Sequence, residues 1–175
     1  PYLEDYFAKM KINKTNFFTD VSNYLSYELG QPTHCFDRKK INGDLIFQEI
    51  SHKSLFKTLL GSEVTLEGNN CVFTVNDEIL SLAGLMGGIS TACSATTRKV
   101  LVECAFFEPE SIIGKSQKYN LVSALLPGFC AIGISTKGFL IVVIVSSEYV
   151  TSATISSPVV NLNNFTSITI SFFYC

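Results

Sequence analysis

Hydrophobic and polar positions along the first two thirds of the chain follow helix and strand spacings in turn. Apolar residues at every third or fourth position predict a helix over residues 20–29, and Gly30 followed by Pro32 is typical of a helix C-terminus. Short runs rich in β-branched and aromatic residues predict strands at residues 44–50, 71–75 and 99–106.

Turn residues separate these strands from further short ones. Gly61-Ser62 and Asn76-Asp77 are typical turn pairs, and each precedes another predicted strand. Pro109 suits the first position of a helix, which we expect to run to about residue 118. Between the strands, residues 82–88 form a loop with three glycines. The pattern predicts an α+β fold with mixed or antiparallel sheets and a few flanking helices.

The composition of the chain changes near residue 121. From there to the C-terminus Lys137 and Glu148 are the only charged residues, and Ser, Thr, Val and Ile are abundant. Residues 138–145 are the most apolar stretch, but they are fewer than the roughly 18–20 residues that span a bilayer. We therefore predict a buried strand there and no membrane partner. The predicted units are a domain at residues 1–123 and an apolar, Ser/Thr-rich tail at residues 124–175.

Charge and cysteine usage narrow the class of protein. The chain is 47% hydrophobic with a net charge of −2, which allows a core but gives no reason for extensive nucleic-acid binding. Any RNA contact is therefore expected at one end of the RNA. No basic-then-apolar leader is visible, and the six cysteines form no C-x-x-C pair. These features predict a cytoplasmic protein with reduced thiols and no metal site.

Two titratable residues are candidates for chemistry. Glu103 interrupts an apolar strand, and alternation places it on one face with Leu101 and Ala105, as an inward carboxylate if that face is buried. The alternative is an edge strand with Glu103 in water. His34 follows a proline turn, where a histidine is more often a surface residue or a structural hydrogen-bonder than part of a site.

Three further features are ambiguous from pattern alone. The glycine loop lacks the spacing of nucleotide-binding loops, so a plain sharp turn is favoured over a ligand cradle. Ser22 and Asn23 lie in the predicted helix, whose first turn their side chains could bind. No Ser-His-Asp or Cys-His arrangement follows from spacing. The residues alone suggest a small-molecule or acyl-ester pocket without identifying one.

Several motifs carry a resemblance to a known family. They are Asp20-Val-Ser-Asn-Tyr-Leu25, Glu28-Leu-Gly-Gln-Pro-Thr-His-Cys-Phe-Asp37, Leu82-Ala-Gly-Leu-Met-Gly-Gly88 and Leu101-Val-Glu-Cys-Ala-Phe-Phe-Glu-Pro109. In order and spacing they resemble the editing module of the beta chain of bacterial phenylalanyl-tRNA synthetases, over roughly residues 1–123, about 70% of the chain.

The resemblance implies hydrolysis of tyrosine wrongly esterified to the 3′ end of tRNA(Phe), in support of phenylalanine attachment. Such a second sieve is useful because a hydrophobic synthetic pocket rejects an added hydroxyl only modestly. The resemblance implies tRNA(Phe) and the synthetase alpha subunit as partners. No cofactor is expected in this segment, whereas the whole enzyme would use ATP and Mg²⁺.

Substrate-binding roles come from matching residues one by one. The resemblance implies that Glu103 recognises the tyrosine hydroxyl. It also implies that Ala83, Gly84, Met86 and Gly87 belong to the loop that shapes the pocket.

Catalytic roles are implied in the same way. His34 matches a histidine near the ester, where it positions water; the hydrolytic base stays open, with the ribose hydroxyl of the tRNA as one candidate. Asn23 matches directly, and Ser22 replaces the usual threonine, keeping the hydroxyl without the methyl.

The family pattern stops after residue 123, where an expected arginine and glutamate are absent. We interpret the tail either as a frameshifted or unrelated reading of the gene or as a diverged strand-rich extension. Modules for subunit assembly and tRNA binding are not recognisable in it. The alternative function is therefore a non-catalytic RNA- or protein-binding remnant of the same fold.

Overall fold

A computed structural model describes residues 2–30, 32–105, 107 and 109–121, together with the backbone of three later strands. The helices are α1 (Tyr2–Met10), α2 (Phe17–Leu29), α3 (Pro109–Ile112) and α4 (Lys115–Lys118). The strands are β1 (His34–Asp37), β2 (Leu45–Ile50), β3 (Ser54–Lys57), β4 (Glu63–Leu66), β5 (Asn70–Val75), β6 (Glu78–Leu82), β7 (Met86–Gly87), β8 (Lys99–Ala105), β9 (Leu140–Ser146), β10 (Val150–Thr154) and β11 (Val159–Val160). Single 3₁₀ turns occupy Arg38–Lys40 and Ile89–Thr91.

All described strand pairs are antiparallel and form three sheets. One sheet has the order β1-β8-β9-β10, the second has the order β11-β2-β5-β6-β7, and β3 with β4 forms a hairpin. Helices flank these sheets, so the predicted α+β class with antiparallel sheets is confirmed.

Strand β5 lies between two hydrophobic cores because both of its faces are buried. On one face Phe73 packs with Phe36 and Leu101 of the β1–β8 pair. On the other face Val72 packs with Phe56 and Leu66 of the β3–β4 hairpin. The first sheet therefore covers one side of the second, and this first interface holds the candidate site.

The predicted helix at residues 20–29 exists, but it begins earlier. Asn16 caps α2 by accepting a hydrogen bond from the Thr19 amide at 3.1 Å, so three further residues join the helix. Gly30 ends it in the left-handed conformation at φ 67°, as predicted. The single helix predicted from Pro109 to about residue 118 is wrong, because Gly114 at φ 82° divides it into two short helices.

The predicted strands are confirmed within a residue or two, except that Phe106 lies outside the described residues. Both predicted turns also exist. Asn76 and Asp77 have positive φ angles of 48° and 64°, a conformation that suits a tight hairpin between β5 and β6. Gly61 at φ 85° lies in the turn between β3 and β4.

The strand predicted at residues 138–145 corresponds to β9, which pairs with β8 along its whole length. Strand β11 pairs with β2. Side chains of these strands, and the rest of residues 122–175, lie outside the description. Among the described helices none is long and apolar enough to cross a membrane.

The cysteines are of two kinds. Cys35, Cys93 and Cys104 are free thiols, whereas Cys71 is disulfide-bonded. The prediction of reduced thiols is therefore wrong at Cys71.

Candidate active site at the end of the β1–β8 ladder

The β1–β8 ladder brings two predicted site residues together. His34 is the first residue of β1 and lies directly opposite Glu103 of β8. Directly opposed residues of an antiparallel pair project to the same face, with Cβ atoms roughly 5 Å apart. The prediction that His34 lies in a loop is therefore wrong: the turn ends earlier, and a four-residue strand aligns His34 with Glu103.

Glu103 is an inward carboxyl group, as alternation along its strand suggested. The side chain is only 7% exposed, and its strand neighbours on that face include the fully buried Leu101. Burial raises the pKa of Glu103 to about 8. Within the part of the chain that the structure describes, no hydrogen bond or ion pair satisfies this carboxyl. At neutral pH it is therefore mainly protonated and can still form a hydrogen bond.

His34 is neutral for a related reason. Desolvation by surrounding protein atoms lowers the pKa of its imidazole to about 4, although the side chain keeps some exposure. The ring meets Phe36 edge-on, with centroids 4.4 Å apart and planes at 88°. A neutral imidazole keeps one nitrogen as a hydrogen-bond acceptor and the other as a donor. It can therefore orient a water molecule at neutral pH.

The glycine loop is a tight hairpin that supports this imidazole. Gly87 packs against the face of the His34 ring so closely that an added Cβ would lie 2.7 Å from Nε2. Gly84 turns the chain at φ 69°, and a Cβ there would meet Ile112 at 2.6 Å and Phe107 at 2.7 Å. The glycine loop is therefore both a sharp turn and part of the candidate site. Any side chain at Gly87 would displace the histidine.

The other two predicted loop residues, Ala83 and Met86, pack in different cores. Ala83 is 2% exposed and packs in the core that Phe36 and Leu101 share, with Phe107 against it. Its small side chain keeps this end of the core uncrowded. Met86 instead packs against the second core, on the opposite face of its sheet. The structure therefore brings Ala83 toward the Glu103 face and places Met86 away from it.

Ser22 joins helix α2 to the start of the site strand. Its hydroxyl lies 2.9 Å from the Thr33 carbonyl and 2.7 Å from the Thr33 hydroxyl, immediately before His34. The interpretation that Ser22 binds the first turn of its own helix is wrong, since Asn16 fills that role. Asn23, the next residue, is partly buried. Ser22 is thus placed to position His34 through the backbone.

Sequence reasoning missed two residues of this region. Phe107 contacts Gly84 and Phe47, but nothing in the strand pattern distinguishes it from an ordinary core aromatic. Ser81 lies opposite Gly87, and its buried hydroxyl has no hydrogen-bond partner among the described residues. A serine inside a buried apolar strand was the available signal for the latter.

Comparison with known proteins assigns this arrangement to a family. The family model described as "B3/4 domain" matches residues 2–127. The chain belongs to the B3/4 domain family. That match includes α2, β1, β8 and the glycine hairpin, and hence every predicted site residue.

Several curated relatives carry the name phenylalanine–tRNA ligase beta subunit. The one from Methylococcus capsulatus is 40% identical over 104 residues, 59% of this chain and 13% of that protein. The one from Neisseria gonorrhoeae is 40% identical over 112 residues, 64% of this chain and 14% of that protein. The one from Bartonella quintana is 32% identical over 122 residues, 70% of this chain and 15% of that protein. The chain thus spans only 13–15% of the length of these relatives, and its B3/4 domain resembles a segment of an aminoacyl-tRNA synthetase subunit.

Proposed function

We propose that this B3/4 domain hydrolyses the ester that joins a wrongly attached tyrosine to the 3′ end of tRNA(Phe). The observation that carries the proposal is the buried Glu103 carboxyl, which has no hydrogen-bond partner among the described residues and lies beside a neutral histidine. Burying a polar group without a hydrogen bond is costly, so a ligand that completes the bond is favoured. The phenol of tyrosine supplies such a partner, and phenylalanine leaves the carboxyl unsatisfied.

The apolar surroundings of Glu103 suit the ring of the same amino acid. Ala83, Ala105 and Phe107 border the core beside the glycine hairpin. Discrimination by a buried polar group is strong, because the analogue that lacks the hydroxyl still has to desolvate that group. In this proposal Gly84 and Gly87 let the hairpin pack closely against Phe107 and His34, and so fix the residues that surround the tyrosine.

His34 acts in this proposal as the residue that orients the attacking water. The water oxygen forms a bond to the ester carbonyl carbon, the bond from that carbon to the ribose oxygen breaks, and the ribose oxygen receives a proton. Free tyrosine and the intact RNA end are the products. The neutral imidazole accepts a hydrogen bond from the water at pH 7 because its pKa is about 4. Ser22 positions the strand, and Asn23 lies beside it on α2.

The assignments of the subunit, its partner and its compartment are also proposals, and they rest on the named relatives. In this proposal the domain belongs to a ligase beta subunit that works in the cytoplasm with an alpha subunit. In that assembly ATP and Mg²⁺ would serve the synthetic reaction, and the B3/4 domain itself would need no cofactor. Met86 has a weaker claim to substrate contact than the other loop residues, since it packs in the second core.

Deacylation of tyrosyl-tRNA(Phe) by the full chain tests the proposed function. Phenylalanyl-tRNA(Phe) is the matched substrate, and Glu103→Ala and His34→Ala are the site variants. We expect selective release of tyrosine by the parent chain and loss of that selectivity in Glu103→Ala. His34→Ala should reduce the rate by about 10²-fold, because the attacking water loses the residue that orients it.

The same assay distinguishes the proposed hydrolase from the alternative, a non-catalytic RNA- or protein-binding remnant of the same fold. A folded parent chain that binds tRNA(Phe) but releases neither amino acid faster than buffer would contradict the hydrolase proposal. Equal release of tyrosine and phenylalanine would contradict the role of Glu103.

A further inference from the structure

Five positively charged residues lie at the end of the β1–β8 ladder that is opposite to the His34–Glu103 pair. Asp37 lies opposite Val100, so the residues just beyond this pair, Arg38 and Lys99, are neighbours across the two strands. We call the set the cationic ridge; it consists of Arg38, Lys39, Lys40, Arg98 and Lys99. Segments about sixty residues apart in the chain therefore converge on one positive surface.

Local contacts hold the ridge in place. Lys40 Nζ donates to the Ala92 carbonyl at 2.7 Å, which ties the 3₁₀ turn to the segment before β8. Arg98 donates to the carbonyls of Ala95 and Thr97, both at 3.0 Å. Arg38 donates to the Ile41 carbonyl at 2.8 Å. The carbonyl groups that accept from Lys40 and Arg98 are uncharged, so these contacts fix the two side chains without cancelling their charge.

Among the described residues, the two segments that form the ridge contain no carboxylate. Residues 38–43 and 92–99 contain no Asp or Glu. Asp37 is buried and already accepts hydrogen bonds from the Thr97 hydroxyl at 2.7 Å and the Lys39 amide at 3.0 Å. At physiological ionic strength charges act over about 8 Å, so the ridge governs what binds there despite the overall charge of −2.

We propose that the cationic ridge binds phosphates of the RNA strand whose 3′ end enters the Glu103 site. This inference rests on the proposed function and adds to it the path of the RNA. Arg38 is the fourth residue after His34, about 13 Å away at the strand rise of roughly 3.3 Å per residue. That distance corresponds to about four nucleotides at the helical rise of 3.4 Å per strand.

Two ridge residues are suited to a clean test. Lys39 and Lys99 are exposed, and their ammonium groups form no hydrogen bond or ion pair with the described residues. The variant Lys39→Gln/Lys99→Gln therefore removes charge without disturbing the contacts above. The matched control is Lys9→Gln/Lys11→Gln, which makes the same charge change at exposed positions at the end of α1.

The measurement is binding of fluorescently labelled, uncharged tRNA(Phe) to the full chain over a series of salt concentrations. Each phosphate contact on single-stranded RNA contributes about 0.7 to the slope of log affinity against log salt. We expect the ridge variant to lower the slope by about 1.4. The control should keep the parent slope. Equal slopes in the two variants, or no binding by the parent chain at low salt, would contradict the proposal that the cationic ridge binds RNA phosphates.

Two further arms identify the partner and keep the two proposals separate. Poly-glutamate and an unlabelled RNA of equal charge are compared as competitors of the labelled RNA. If poly-glutamate displaces the labelled RNA to the same extent, the proposal of a nucleic-acid partner is wrong. Tyrosyl-adenosine, an ester without phosphates, should be hydrolysed equally by the parent chain and the ridge variant. If no ester is hydrolysed but the slope still falls in the ridge variant, the proposed function fails and the ridge stands as a phosphate-binding surface.

Discussion

The buried carboxyl of Glu103 links the site to the stability of the whole protein. Its pKa in the folded chain is about 8, above the ordinary 4.5, so the folded state holds its proton more tightly than the unfolded state. Stability from this group is complete below pH 4.5 and is lost as the pH rises toward 8. The loss amounts to roughly 3–5 kcal/mol, at about 1.4 kcal/mol for each tenfold difference in proton affinity.

His34 acts in the opposite direction. Its folded pKa of about 4 lies below the ordinary 6.5, so stability from the neutral ring is present above pH 6.5 and is lost as the pH falls toward 4. Between pH 4.5 and 6.5 the two effects oppose each other. Above pH 6.5 only the Glu103 effect continues, and the protein should become less stable.

Replacement of Glu103 by glutamine tests this linkage. Glutamine keeps the shape but cannot ionise, so we expect Glu103→Gln to remove the decline in stability between pH 6.5 and 8. Urea unfolding at several pH values measures it, with Glu110→Gln, an exposed carboxylate, as the control. Parallel pH profiles for the parent chain and Glu103→Gln would show that Glu103 is ionised in the folded protein.

Gly87 is the second residue with a specific role, because its backbone lies against the His34 ring. We expect Gly87→Ala to destabilise the fold by about 1–3 kcal/mol, as overpacking does, and to remove hydrolysis. In a His34→Ala background the new methyl has room, so the same substitution should cost much less. Unfolding free energies of the four proteins in this cycle measure the coupling. Additive effects would mean that the ring and the glycine are not in contact in solution.

At the scale of elements, one serine connects the capped helix α2 to the site strand. Ser22→Ala leaves the partly buried polar groups of Thr33 without their partner, which should cost about 1 kcal/mol. Because Thr33 precedes His34, the substitution should also reduce tyrosine release. Ser26→Ala is the control: among the described residues its hydroxyl donates only to the Ser22 carbonyl within the helix, at 2.9 Å. Similar loss of activity in both variants would indicate general destabilisation of α2 rather than positioning.

Elements with a clear repeat could be predicted from the sequence. Helix α2 and strands β2, β5 and β8 show the required periodicity, and Gly30 marks a helix end without tertiary context. Strand β1 has four residues after a proline, too few to show alternation, so its pairing with β8 decides its conformation. The helix beginning at Pro109 breaks because Gly114 prefers a left-handed conformation, and a lone glycine gives only a weak breaking signal.

In the candidate site too, some features could be predicted from the sequence and others could not. Alternation along β8 indicates an inward Glu103, since that inference needs only the local period of two. The contacts of His34 with Gly87 and of Ser22 with Thr33 depend on how separate elements pack, which no local pattern specifies. Met86 shows the limit of motif matching: it lies beside Gly87 in sequence but projects to the other face of the sheet.

At the scale of the whole molecule, strand β8 is held from both sides. Strand β1 pairs with four of its residues on one edge, and β9 pairs with all seven on the other. Backbone groups of successive residues in an antiparallel strand point to alternate neighbours, so about half of the β8 amides depend on each partner. The predicted tail therefore contributes directly to the strand that carries Glu103.

Deletion of residues 122–175 tests whether this tail is part of the fold. Without β9 we expect alternate amides of β8 to lose hydrogen-exchange protection, while those bonded to β1 keep more of it. Tyrosine release should fall along with that protection, because Glu103 pairs with Val142 as well as with His34. The β3–β4 hairpin serves as the internal reference, since its two strands pair with each other and contain no cysteine. Unchanged protection of β8 would mean that residues 1–121 fold without the tail, as expected if the tail is an unrelated reading of the gene. Loss of protection confined to alternate β8 residues would instead make the tail a working extension of the sheet.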